Sequence, residues 1–170
     1  QRGEEVKGPS RIVQTHKNET KVTAPLSRED QIRSIVKKLI DLPEGDARQI
    51  EVMHYSDGGY QVIIEFKANG YKSSILYNSL EMFSKIYQSP ELSDINNLWL
   101  KPYSEMIDSY GQTSVDQVGK LIIDRPLAKK INWERMLPDQ LKKILEMKNQ
   151  DYDAPDDAGH GNIWLHPGLQ

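Results

Sequence analysis

Four histidines are the side chains best suited to moving protons near neutral pH. His54 ends an alternating stretch, Gln49 to Tyr55, on the side of Ile50 and Val52, with Asp57 three residues on. A general base supported by that carboxylate is one reading, and a histidine at a sheet margin is the other. The second is adopted because no nucleophile accompanies it: G-x-S-x-G and S-x-x-K are both absent. His16 lies in a polar N-terminal stretch. His160 and His166 follow Asp151, Asp153, Asp156 and Asp157, the densest set of metal-capable side chains in the chain. Asp151-x-Asp153 resembles the start of a calcium loop, but Pro155 stands where a third ligand belongs. The sixth position lacks glycine and the twelfth lacks glutamate. A solvated acidic loop is the simpler reading of this segment, and no metal or cofactor is assigned.

Two further sets deserve chemistry. Glu51 and Glu65 approach each other across an expected hairpin, as a glycosidase pair would, yet nothing marks a sugar cleft beside them and a charged, solvated sheet face explains both. Gly58-Gly59 stands in a hairpin and does not precede a helix, so it makes no phosphate loop. The aromatic and sulfur side chains are more suggestive. Met53, Tyr55, Ile63, Trp99, Tyr110 and Trp164 fall on strand faces or loops where a core does not require them. They are the candidate contacts for a protein, peptide or glycan ligand.

Positioning such residues requires a folded sheet. A chain of 170 residues suffices for one domain with polar tails, and the mean hydropathy of −0.67 points to such tails. The net charge of −3, with lysines and arginines dispersed, argues against a nucleic-acid binder. No cysteine is present, which removes disulfides, thiolate nucleophiles and cysteine-held zinc. No apolar run is long enough for a membrane span. The chain opens on Gln1, read as a processed or truncated start with an export signal or lipid anchor upstream.

The clearest element is Tyr60 to Ala68, where Tyr60, Val62, Ile64, Phe66 and Ala68 alternate with Gln61, Glu65 and Lys67. Ile63 is the one apolar residue on the polar side. Asp57-Gly58-Gly59 joins this strand to the preceding one, Gln49 to Tyr55. Before the hairpin, Ser27 caps a helix whose apolar stripe is Ile32, Ile35, Val36, Leu39 and Ile40. After it, Ser74 to Tyr87 is a second and more apolar helix. A third strand, Ile95 to Tyr103, contains Pro102, which lacks an N–H and predicts an edge position or a bulge. A loop at Asp108–Gln112 leads to a fourth strand, Gln117 to Ile123. Asp124 and Pro126 open a third helix, and Pro138 a fourth bearing Leu141, Ile144 and Leu145.

Four stretches resemble a small domain found in exported or lipid-anchored proteins of Gram-positive bacteria, a family without an assigned function. They are the helix LEMFSKIYQS (Leu80–Ser89), the loop Asp108-Ser109-Tyr110-Gly111, the segment Leu121 to Ile131 with Asn132-Trp133, and Trp164-Leu165-His166-Pro167. The likeness spans about Ser27 to Gly168 and implies an extracellular or cell-surface setting, with the long acidic loop as a departure.

The expectation is therefore an α+β fold in which two helix–hairpin units form a four-stranded antiparallel sheet with helices on one face. Residues 1–25 are read as a tether, 26–147 as the domain, and 148–170 as an acidic loop and a segment that docks back. The function expected is non-enzymatic binding; a small hydrolase or metal-dependent enzyme using His54 or the His160/His166 region is the alternative.

Overall fold

The computed structural model describes residues 24–40, 47–56, 58–148 and 161–170. The segment 1–23, the turn at 41–46, Asp57 and the acidic stretch 149–160 lie outside the described residues, and with them the expected tether and metal-capable loop. In chain order the elements are α1 (Arg28–Ile40), β1 (Ala47–His54), β2 (Tyr60–Lys67), α2 (Lys72–Tyr87), β3 (Ile95–Ile107), β4 (Thr113–Gln117), β5 (Gly119–Asp124), α3 (Arg125–Ala128), α4 (Pro138–Lys148) and β6 (Gly161–Leu165).

The α+β class holds, but the sheet departs from expectation in two ways. It has six strands among the described residues, in the order β1-β2-β3-β5-β6 with β4 also on β3, where four were expected. It is also mixed: β2 and β3 are parallel, Val62 beside Leu98 and Ile64 beside Leu100, while every other pair is antiparallel. The physical reason is the long second helix. A hairpin cannot join parallel strands, so α2 and the turn at Pro90–Leu92 carry the chain back to the end of the sheet where β2 began. Two helix–hairpin units laid side by side therefore become one sheet with β3 inside it.

Pro102 sits in that interior strand and is accommodated by a bulge. Tyr103 pairs with Gln117 and Leu100 with Leu121, so three steps on β3 face four on the opposite chain. The extra residue separates β4 from β5, and Val118 N–H donates to the Pro102 carbonyl at 2.8 Å. Of the two expectations for Pro102, the bulge holds and the edge does not. The closing Trp164 segment is the strand β6, antiparallel to β5. Beyond it Leu169 enters the core, and Gln170 accepts from Lys72 N–H and donates to the Gly70 carbonyl.

The caps follow the local sequence. Ser27 Oγ accepts from Asp30 N–H at 3.1 Å, and Asp124 Oδ1 accepts from Leu127 N–H at 2.9 Å. The third helix is a single turn, Arg125–Ala128. One core cluster joins Ile32, Val36 and Ile40 of α1, Ile75, Met82, Phe83 and Ile86 of α2, and Leu141 and Leu145 of α4 to Val62, Ile64, Phe66, Leu98, Leu100, Leu121, Ile123 and Ile163.

Two arginines hold the crossover in place. Arg125 Nε donates to the Ile95 carbonyl at 2.8 Å, and its two terminal nitrogens donate to those of Leu92 at 2.6 Å and Tyr87 at 3.2 Å. Its guanidinium carbon lies 4.7 Å from the centroid of the Tyr87 ring. Burial pulls this guanidinium below its ordinary value. Burial also pushes the Tyr87 phenol well up, and its O–H donates to the Ile123 carbonyl. Arg28 grips Asp94 with two 2.8 Å bonds and reaches the Glu91 carbonyl at 2.6 Å.

Arg125→Met should lower stability by about 2–4 kcal/mol, because three carbonyls lose a charged donor, and Arg125→Lys should rescue little of it since an ammonium cannot reach all three. Urea denaturation of both variants measures this. The Arg28 bonds hold the Asp94 carboxylate below its ordinary value of 3.8. A depressed carboxylate contributes stability that is present above 3.8 and lost as pH falls through the folded value. Acid titration of stability should therefore be shallower in Asp94→Asn than in the parent chain.

Candidate functional site

Strand alternation sorts the sheet residues onto two faces. Val62, Ile64, Leu98, Leu100, Leu121 and Ile123 belong to the core cluster. Ile63 and Ile122, of the opposite face, are buried yet lie outside it. The pairing places Glu51, Ile63, Trp99, Ile122 and Asn162 in one row across five strands of that opposite face. Its centre is Trp99, half-buried, whose Nε1 donates to Asn97 Oδ1 at 3.1 Å. The ammonium groups of Lys101 and Lys120 lie 5.7 and 5.8 Å from the centroid of the Trp99 ring. Lys120 in turn pairs with Trp164, which stands edge-on to His166 at 6.1 Å.

The six expected contact residues divide accordingly. Ile63, Trp99 and Trp164 share this face; Ile63 is 7% exposed and serves as its floor, and Trp164, 45% exposed, stands at its margin. Met53 is exposed on the same face, opposite Gln61. Tyr55 lies past the end of β1, where its N–H closes the hairpin on the Gly59 carbonyl at 2.8 Å. Tyr110 is apart from all of them. It caps the β3–β4 hairpin, on the order of 25 Å along the strand from Trp99, and is 88% exposed.

Lys101 and Lys120 were missed from the sequence. Lys101 had a signal, since it is two residues from Trp99 and must share its face. Lys120 had none, because its approach to Trp99 depends on the β3–β5 register. Cation–π contacts with an indole supply attraction without making either lysine apolar, so the centre of the face is both aromatic and positively charged.

The described histidines do not converge. His54 lies tilted against Tyr60 with ring centroids 4.8 Å apart at the β1 edge, and His166 follows β6 at the other edge, its Nδ1 accepting from Gly168 N–H. His160 and the aspartates 151–157 lie outside the described residues. Among the described residues no three metal-capable side chains gather, and no helix is long and apolar enough to cross a membrane. One cavity of about 590 Å³ lies between the N-terminal ends of α2 and α4, lined by residues that include Tyr77, Leu137 and Asp139. It contains none of the six expected contact residues.

Comparison of the chain with family models, with curated proteins and with solved structures finds no match.

If Lys101 and Lys120 each contact the Trp99 ring, double-mutant cycles pairing either lysine with Trp99, using alanine replacements and urea denaturation, should give coupling of about 0.5–1 kcal/mol per pair. Coupling near zero in both cycles would remove the cationic centre of this face.

Proposed function

We propose that this chain is a non-enzymatic binding module of an exported or cell-surface bacterial protein, and that it takes an acidic protein or peptide segment on the Trp99 face of its sheet. The observation that carries the reading is Trp99, with two lysine ammonium groups within about 6 Å of its ring centroid, on a face with a buried floor of Ile63 and Ile122. A half-buried indole with cations close to its ring offers apolar area and charge together, which suits a partner carrying carboxylates beside an apolar side chain. In this reading α1, α2 and α4 all lie on the Leu98/Leu100 side, and none of them covers Trp99. Their membership in one core cluster, from which Ile63 and Ile122 are absent, supports that arrangement. Exposed Met53 and Trp164 extend the contact area toward the two edges. The surface setting rests on the resemblance described above.

Tryptophan fluorescence and calorimetry test the reading with defined probes: a peptide alternating glutamate and phenylalanine, polygalacturonate as an anionic glycan, and a single-stranded oligothymidine. The peptide should bind and perturb the indole emission, and the oligothymidine should not. Trp99→Ala, and Lys101→Glu combined with Lys120→Glu, should each weaken peptide binding about tenfold or more. Peptide affinity unchanged by either substitution would contradict the reading, and binding of polygalacturonate alone would replace the peptide with a glycan.

A further inference from the structure

Beyond the sheet proper, β3 and β4 continue as a two-stranded ribbon. β2 accompanies β3 only to Tyr103, and β5 and β6 lie on the other side of the bulge, so β4 has β3 as its one strand partner among the described residues. All five residues of β4, Thr113-Ser114-Val115-Asp116-Gln117, are exposed. An unpaired edge is ordinarily blunted by lysine, proline, a bulge or a covering element. The other two edges are managed in this way. β1 has a register irregularity between Ala47 and Gln49 and carries Glu51, while β6 runs beside α4 with Ile163 buried. β4 carries no lysine and no proline, and the exposed apolar side chains Val115 (55%) and Ile107 (73%) stand on one face of its ribbon.

The hydrogen-bond phase fixes which backbone groups are unused. Asp108 N–H donates to the Gln112 carbonyl at 3.0 Å, and Val118 N–H to the Pro102 carbonyl at 2.8 Å. Bonded pairs alternate along an antiparallel ladder, so Ser114 and Asp116 direct their backbone groups toward β3. The N–H and C=O groups of Thr113, Val115 and Gln117 therefore point away from the ribbon, to the open edge.

We propose that β4 pairs antiparallel with β4 of a second copy of this chain, on a two-fold axis at Val115. The sequence of the strand is self-complementary in that register. Val115 meets its own copy, Thr113 meets Gln117, and Ser114 meets Asp116. Val115, Thr113 and Gln117 are the residues with outward backbone groups, so each of their pairings is a hydrogen-bonded one. Asp116 is the only charged residue on the strand, and the pairing sets its carboxylate opposite a serine hydroxyl and not opposite its own copy. Each Ser114 hydroxyl already donates to an Asp116 carboxylate within its own strand, the same chemistry that the pairing offers between copies. The two-fold joins two ribbons into a four-stranded one and covers Val115 and part of Ile107. A contact of five residues a side makes a weak dimer, formed at micromolar to millimolar concentration.

Sedimentation velocity and light scattering on the full chain, from about 1 µM to several hundred µM, test this. The mass should rise with concentration from 19.5 kDa toward twice that value. Val115→Pro should remain monomeric throughout with an unchanged circular dichroism spectrum, because the N–H it removes points outward and not to β3. Val115→Arg, which places like charges on the axis, should do the same. Ser114→Lys sets an ammonium opposite each Asp116 carboxylate of the other copy and should tighten the dimer roughly threefold or more. A monomer at every concentration overturns the proposal. So does a dimer indifferent to both Val115 substitutions, or one weakened by Ser114→Lys.

Discussion

The return from α2 to β3 is the segment on which the rest of the molecule depends, and two arginines secure it. Parallel strands need a crossover, and a crossover leaves carbonyls at the helix end and in the following turn without strand partners. Arg125 answers three of them, at Tyr87, Leu92 and Ile95, and its three bonds fan out from a single planar group. Arg28 answers a fourth at Glu91 and fixes Asp94, whose carbonyl in turn accepts the Tyr60 N–H at the start of β2. The two side chains come from the first residues of α1 and α3. They therefore tie both flanks of the chain to the one joint that sets how β2 and β3 lie together.

That joint decides the surface. With β2 and β3 parallel and in this register, Ile63 lies beside Trp99, and the antiparallel β5 brings Ile122 to the other side of Trp99. A shift of one residue would exchange the faces, sending Leu98 and Leu100 outward and Trp99 into the core. The lysines contribute to the same face in a different way. Lys101 is carried there by strand alternation, and Lys120 by the four-for-three bulge opposite Pro102, which resets the phase of the chain between β4 and β5. The same bulge ends the main sheet and begins the ribbon. One proline, placed where a ladder N–H is missing, separates a broad aromatic face from a projecting two-stranded arm.

Local features were legible in the sequence and long-range ones were not. The two-residue alternation of Tyr60 to Ala68 located β2 and its core side, although Gln61 and Ile63 on the other side are buried as well, and the caps at Ser27 and Asp124 stand where their side-chain chemistry places them. Ile63 was readable as an anomaly, an apolar residue on a polar side, and it became the floor of the candidate face. Strand pairing was a different matter. Neighbouring strands joined by a turn suggested two hairpins, and nothing local indicates that the strand after α2 returns parallel to the strand before it. Gly161–Leu165 was too short to announce a strand, because its partner β5 lies some forty residues earlier in the chain. The arginines were illegible for the same reason: Arg125 is 38 residues from Tyr87 and Arg28 is 66 from Asp94. Of the expected contact residues, those on the strands were brought together by register, whereas Tyr110 was carried away by the length of β3.

The arrangement around Trp99 is most directly tested by nuclear Overhauser contacts to its indole ring. The expected contacts are to the methyl groups of Ile63 and Ile122 and to the side chains of Lys101 and Lys120, with none from α1, α2 or α4. Contacts from any of those helices to the ring would show that the Trp99 face is covered, and would contradict the binding surface proposed for it.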